Sequence, residues 1–183
     1  MPEPTGTETA LNRYTALYEA LGRARPKPDG DARPFAAAAL IRAPQGEAGQ
    51  DVRSLVQRTR EHFRTLKEES GGWRAPSGAL RWIYAAMMAA QSIDPQRYFA
   101  LRDALKAARK ASGTGNLHAG GSRAALILAL SDETTETLIA RFFAIKAAIK
   151  PPWWRRDMSV TDMFAAAHAA DGATPGEIVA RRE

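Results

Sequence analysis

The sequence predicts an all-α fold made of αα-hairpins that recur about every 40 residues, in the manner of a solenoid or toroid. Three observations predict it. Apolar residues return at helical spacing in one segment after another, and no alternating apolar run with turn chemistry at its ends interrupts them. Start and stop signals also fall at near-regular intervals. Asp94-Pro95 is echoed 80 residues later by Thr174-Pro175, with Thr134 halfway between, and Leu66-Lys67, Leu105-Lys106 and Ile145-Lys146 close second helices at spacings of 39 and 40. Finally, alanine-rich first helices return at residues 36–43, 85–90, 124–130 and 164–170. One hairpin cannot cover its own apolar face, so each copy needs neighbours.

Residues 1–6 are expected to fray, and residues 7–23 read as a helix with Leu11, Tyr14, Leu17, Tyr18 and Leu21 along one stripe. Arg25-Pro26-Lys27-Pro28-Asp29-Gly30 is too rich in proline and glycine to continue it. A short alanine-rich helix is expected after Pro34 and before Pro44. Asp51 then caps a long helix running to about Glu69, with Leu55, Val56, Phe63 and Leu66 inward. The central hairpin spans residues 77–110. Ser77 is its expected N-cap, Leu80, Ile83, Tyr84, Met87 and Met88 stand at helical spacing, and Asp94-Pro95 opens its second helix. Gly113-Thr114-Gly115-Asn116 stops that helix, and Ser122 is the expected cap of the next. Thr134 begins a helix to Lys150 with Leu138, Ile139, Phe142, Ile145 and Ile149 inward; Pro151-Pro152 ends it. Residues 159–170 form the last long helix, and Pro175 opens a short final one.

At 183 residues, with 45% apolar and 25% charged side chains, the chain reads as a single globular domain, 1–183. Cysteine is absent, which excludes disulfides, thiolate nucleophiles and cysteine-ligated metals. The longest uninterrupted apolar run, residues 82–90, is too short to span a bilayer. The acidic start Met1-Pro2-Glu3-Pro4 does not resemble a secretion signal, so cytoplasmic residence is expected. The net charge of +6 is concentrated in the middle: residues 1–34 are neutral, residues 75–120 carry +4 and residues 159–183 carry −2. That distribution suits an anionic partner.

Three candidate sites follow, each against an ordinary structural role. Lys67, Lys106 and Lys146, taken as equivalent, with Arg60 and Arg64, then Arg102, Arg109 and Lys110, then Lys150 one or two turns away, would form a basic ridge fit for phosphates or an acidic protein; outward cations are more often plain solvation. Trp153-Trp154-Arg155-Arg156 could stack bases and grip phosphates through Trp154, Arg155 and Arg156. Trp73 in a matching loop argues instead that tryptophan there is packing. The glycine-rich loop of residues 113–122 precedes a helix and could hold an anion, yet it follows a helix and lacks the Gly-Lys-Ser/Thr of a phosphate loop. His62, His118 and His168 form no ligand pattern, and no catalytic constellation, cofactor or metal site is foreseen.

Tyr84-Ala85-Ala86-Met87-Met88, the run from Arg97 through Leu105-Lys106, Ala124-Ala125-Leu126-Ile127-Leu128-Ala129-Leu130 and Phe142 through Lys146 resemble a group of uncharacterised bacterial helical-repeat proteins, a domain-of-unknown-function family. The resemblance covers residues 79–170, about half the chain. It implies an α–α repeat fold and no known activity, so it assigns no functional residue.

The leading expectation is a non-enzymatic helical-repeat binding or scaffold protein with a protein partner. The apolar helix at residues 164–170 needs a cover, so self-association or a partner at the C-terminal end is expected. The alternative is a nucleic-acid-binding repeat protein acting through the basic ridge, extending to a repeat-type DNA repair enzyme. A small-molecule enzyme ranks third, and no membrane role is expected.

Overall fold

A computed structural model describes residues 6–44, 51–69, 76, 78–112, 116–149 and 157–180. Among them it is all-helical, without strands. The chain divides into two compact units, Met1–Pro95 and Gln96–Glu183, the boundary falling inside the segment expected as the central hairpin.

The first unit holds α1 (Gly6–Arg23), α2 (Ala32–Ile41), α3 (Val52–Glu68) and α4 (Ala79–Ala90). Helix α2 packs on α1 and α4, and α3 packs on α4 and α1. Leu17 and Leu21 of α1 are fully buried while Leu11 is 63% exposed, so the expected stripe is inward only in its C-terminal half. Helix α2 begins before Pro34 rather than after it. Proline fits there because first-turn N–H groups have no partner within the helix. Its buried residues are Ala32, Ala36, Ala37 and Leu40, and they meet a helix whose own buried face includes Ala85, Ala86, Ala89 and Ala90.

Asp51 caps α3 as expected. Its carboxylate accepts the Ser54 N–H at 2.6 Å, which holds its pKa below the ordinary value. The inward face of α3 is Leu55, Val56, Thr59, Phe63 and Leu66. The Phe63 ring stacks on Trp82 of α4, centroids 4.2 Å apart and planes 20° apart. Trp82 was absent from the expected spacing on α4, whose buried face is turned toward Trp82, Tyr84 and Met88 and leaves Leu80 exposed. The residue before α4 is Gly78, at φ 54°, a left-handed value suited to glycine; Ser77 lies outside the described residues. At the other end, the Ile93 N–H reaches back to the Met88 carbonyl at 2.9 Å, and Ser92 adopts a left-handed φ of 55°. Arg58 of α3 donates to the Ala89 carbonyl (3.3 Å) and to Ser92 Oγ (3.0 Å), satisfying this helix end.

The second unit contains α5 (Pro95–Ser112) from its second residue, a 3₁₀ turn (His118–Gly121), α6 (Ser122–Leu128), α7 (Thr135–Ala148), α8 (Met158–Ala170) and α9 (Pro175–Ala180). Helix α8 packs on α6, α7 and the 3₁₀ turn, and α9 packs on α7. Arg97 ties α5 to the turn after α6, donating to the Ser131 carbonyl and to the Glu133 carbonyl at 2.8 Å.

Ser122 does not cap α6. That place is taken by Gly121 in the left-handed conformation (φ 79°), and Ser122 is the first helical residue, its hydroxyl 2.8 Å from the Tyr98 hydroxyl. A side chain at Gly121 would press on Leu105 and Leu117 at 3.3 Å, so the turn needs glycine twice over. Thr134 caps α7 by accepting from the Thr137 N–H. Helix α8 starts one residue earlier than expected because Asp157 accepts the Ser159 and Val160 N–H groups. It ends as α4 does: the Ala173 N–H reaches the His168 carbonyl (3.0 Å), Gly172 is left-handed (φ 81°), and Arg141 donates to the Ala169 carbonyl (2.8 Å). Thr174 and Glu177 then form a reciprocal capping box for α9. Among the described residues no helix is long and apolar enough to cross a membrane.

This packing makes a measurable contrast. Phe63→Ala is expected to lower the unfolding free energy by about 3–5 kcal/mol. Leu11→Ala, on an exposed position, is expected to change it by about 0.5 kcal/mol or less. Urea denaturation of both variants decides the point, and equal losses would contradict the core assigned to α3 and α4.

Candidate functional site

The residues expected to form a basic ridge do not all hold equivalent positions in their helices. Counted from the first residue of each helix, Lys106 and Lys146 are both twelfth, in α5 and α7, whereas Lys67 is sixteenth in α3 and belongs to the other unit. The twelfth residue of α3 is Phe63. The spacing of 39 and 40 residues therefore does not mark equivalent helix positions for Lys67. Arg102 is eighth in α5, a position that is buried in all three helices: Thr59 in α3, Phe142 in α7, and Arg102 itself at 4% exposure. Its guanidinium lies 5.1 Å from the Phe99 ring centre and 5.8 Å from that of Tyr98, so it serves the core rather than a surface. Burial raises the Tyr98 pKa, with the Ser122 hydrogen bond opposing. Lys67 and Lys110 are exposed. Lys150, Trp153, Trp154, Arg155, Arg156 and Trp73 lie outside the described residues.

What the second unit does bring together is Lys106, Arg109 and Lys146 around the loop of residues 116–121. Arg109 donates to Asn116 Oδ1 at 2.7 Å, and Lys106 lies beside Gly120 and 3.9 Å from Asp103. Lys146 donates to the Asn116 carbonyl (3.0 Å) and to Asp162 Oδ1 (2.5 Å). The other oxygen of Asp162 accepts the His118 N–H at 2.7 Å. Ala119, Gly120 and Gly121 follow with left-handed φ of 46°, 62° and 79°, and Ala119 is the strained member. The Asp162 and Lys146 side chains are only 3% and 16% exposed.

Within the described part of the loop, residues 116–122, the Asp162 carboxylate takes the Lys146 ammonium and the His118 N–H, so neither is open to an external anion; residues 113–115 of the expected anion loop lie outside the described residues. A buried charge left unpaired is costly, so the pair holds itself and the loop in place. The signal for this was weak in sequence: Asp162 stands alone in an apolar helix, sixteen residues from its lysine.

The histidines are dispersed. His62 is half-buried on α3, and burial, with Arg58 nearby, lowers its pKa. His168 sits edge-on to Phe164, centroids 4.2 Å apart. Among the described residues no group of three or more His, Asp or Glu side chains could hold a metal ion.

The remaining feature is the outer face of α8. Val160 (62% exposed), Met163, Phe164 (42%) and Ala167 follow the spacing i, i+3, i+4, i+7 and stand exposed along one stripe. Scattered apolar side chains on a surface are ordinary; these four share one face of one helix. Counted back from the helix end, the corresponding residues of α4 are Leu80, Ile83, Tyr84 and Met87, of which Leu80 is exposed, Ile83 and Met87 are half-buried and Tyr84 is buried. Comparison of the chain with family models, curated proteins and solved structures finds no match.

Asp162→Asn removes the countercharge from Lys146, and the expected loss is about 2 kcal/mol or more, discounted because Lys146 can still reach water. The swap Lys146→Phe with Asp162→Trp installs the Phe63–Trp82 pairing but leaves the His118 N–H without its acceptor, and is expected to recover only part of that loss. Denaturation midpoints report both. An unaffected Asp162→Asn protein would contradict the assigned role of the pair.

Proposed function

We propose that the protein is a non-enzymatic α-helical binding or scaffold protein, and that it engages a protein partner through the exposed face of α8. The observation that carries this reading is the Val160–Met163–Phe164–Ala167 stripe. Burying a stripe of this kind in a partner's groove releases roughly 25 cal/mol per Å² of apolar surface, the main driving term for association. The charged side chains give less support to a ligand site: Arg102 is buried, and Lys146 is occupied by Asp162. Cytoplasmic residence belongs to the same proposal.

The reading includes a repeated αα plan of about 40 residues. Its support is positional. Asp51 and Thr134 cap α3 and α7 in the same way, and the seventh residues Arg58 and Arg141 each donate to the final turn of the following helix, α4 and α8. Ser92 and Gly172, 80 residues apart, are left-handed at matching ends. The pair Phe63–Trp82 occupies the place that Lys146–Asp162 occupies in the other unit. The resemblance to uncharacterised bacterial helical-repeat proteins favours the same plan.

A second reading, nucleic-acid binding with repeat-type DNA repair as its extension, is favoured by the net charge of +6 and by exposed Arg109 and Lys110 beside Lys106 on α5.

Affinity capture with wild type and with the exposed double variant V160D/F164D separates the readings. The proposal expects one partner protein, or a second copy of the chain, to be recovered by wild type and lost with the variant. Equal recovery by both, or salt-sensitive retention on DNA with no protein partner, would overturn it.

A further inference from the structure

The groove between the end of α1 and the start of α3 is unused by the α8 reading and lies in the other unit. We propose that it is a docking site for an acidic amphipathic peptide segment of a partner protein. The groove is open and has a volume of about 790 Å³. Its floor is apolar and small: Ala20 and Ala24 from the α1 side, Val52 and Val56 from α3. Among the described lining residues arginine predominates, with Arg23, Arg53 and Arg60 against Asp51, and Glu19 stands 3.4 Å from Arg23 at the edge.

The state of each charge matters. Asp51 is committed to capping, its oxygen 2.6 Å from the Ser54 N–H. Arg60 is held in place by two bonds to the Arg25 carbonyl (3.0 and 2.7 Å) and one to Gln57 (3.1 Å), leaving part of its five-donor fork unspent. Arg23 pairs with Glu19 at 3.4 Å, but both are well exposed, and such a pair holds a side chain only weakly. A ligand carboxylate can therefore recruit Arg23 and meet Arg60 without rebuilding the fold. Planar guanidinium forks match carboxylates in two-point contacts.

The shape selects the occupant further. A small molecule is ordinarily enclosed over most of its surface, which an open groove does not do. Among the described lining residues there is no aromatic ring on which a base could stack. Alanine and valine on the floor suit aliphatic side chains projecting from a peptide backbone, with acidic neighbours turned to the arginine wall. Charge complementarity of this kind sets orientation and speeds encounter.

Fluorescence anisotropy tests it on the full chain, with a fluorescein-labelled peptide of leucine and glutamate at helical spacing as the probe. Controls are the same peptide with glutamine for glutamate and a single-stranded DNA oligonucleotide. The acidic peptide is expected to bind saturably and the glutamine peptide about tenfold or more weakly. R23E/R53E is expected to lose about tenfold or more while keeping its circular dichroism spectrum, and V160D/F164D to bind as wild type. Absence of saturable binding, undiminished binding by R23E/R53E, loss in V160D/F164D, or tighter binding of the oligonucleotide would each overturn the proposal.

Discussion

The contact between a long helix and the alanine-rich helix that follows it is the constraint on which this structure rests. Neither helix can cover its apolar face alone, and each unit solves the problem at the same depth. In the first unit the twelfth residue of α3 is Phe63, stacked on Trp82. In the second, the twelfth residue of α7 is Lys146, closed by Asp162. One solution uses dispersion and apolar burial; the other uses charge and adds a task, because Asp162 also accepts the His118 N–H and so fixes the loop ahead of α6. An ion pair costs desolvation that an aromatic stack does not, so the second solution is justified by what it holds rather than by stability alone.

The arginines act at the seams between helices. Arg58 and Arg141 each reach the last carbonyls of a neighbouring helix, and Arg97 reaches those of Ser131 and Glu133. Three of the chain's arginines therefore complete backbone hydrogen bonding at or just past helix ends, where orphan carbonyls would otherwise lack partners. A basic composition here is in part an architectural requirement. The outer apolar stripe of α8, in contrast, carries no charge.

The all-helical class was legible because periodicity survives in single segments: Leu55, Val56, Phe63 and Leu66, or Leu138, Ile139, Phe142 and Ile145, declare their faces directly. Helix starts at Asp51, Thr134 and Pro175 were equally plain, since capping is local chemistry. Tertiary detail was not. Arg102 looked outward because it is charged, whereas helix phase places it on the buried side with Thr59 and Phe142. Lys146 looked like a surface lysine because its partner is distant in sequence and unremarkable there. The need to cover the helix at residues 164–170 was readable from its composition, but which side chains form its open stripe required the packing of α6 and α7 against it. The groove of α1 and α3 was not legible as such: Arg60 was expected on the ridge, and Arg23 and Arg53 share no common spacing with it.

Asp162 closes on the Lys146 ammonium and the His118 N–H together, and so ties α7, α8 and the turn ahead of α6 to one another. Amide hydrogen exchange at His118 measures it most directly, because that N–H is the donor Asp162 accepts. The account predicts slow exchange in the wild-type protein and markedly faster exchange in Asp162→Asn, with the helix amides of α3 and α4 unchanged. A His118 amide that already exchanges freely in wild type, or that is indifferent to the substitution, would contradict it.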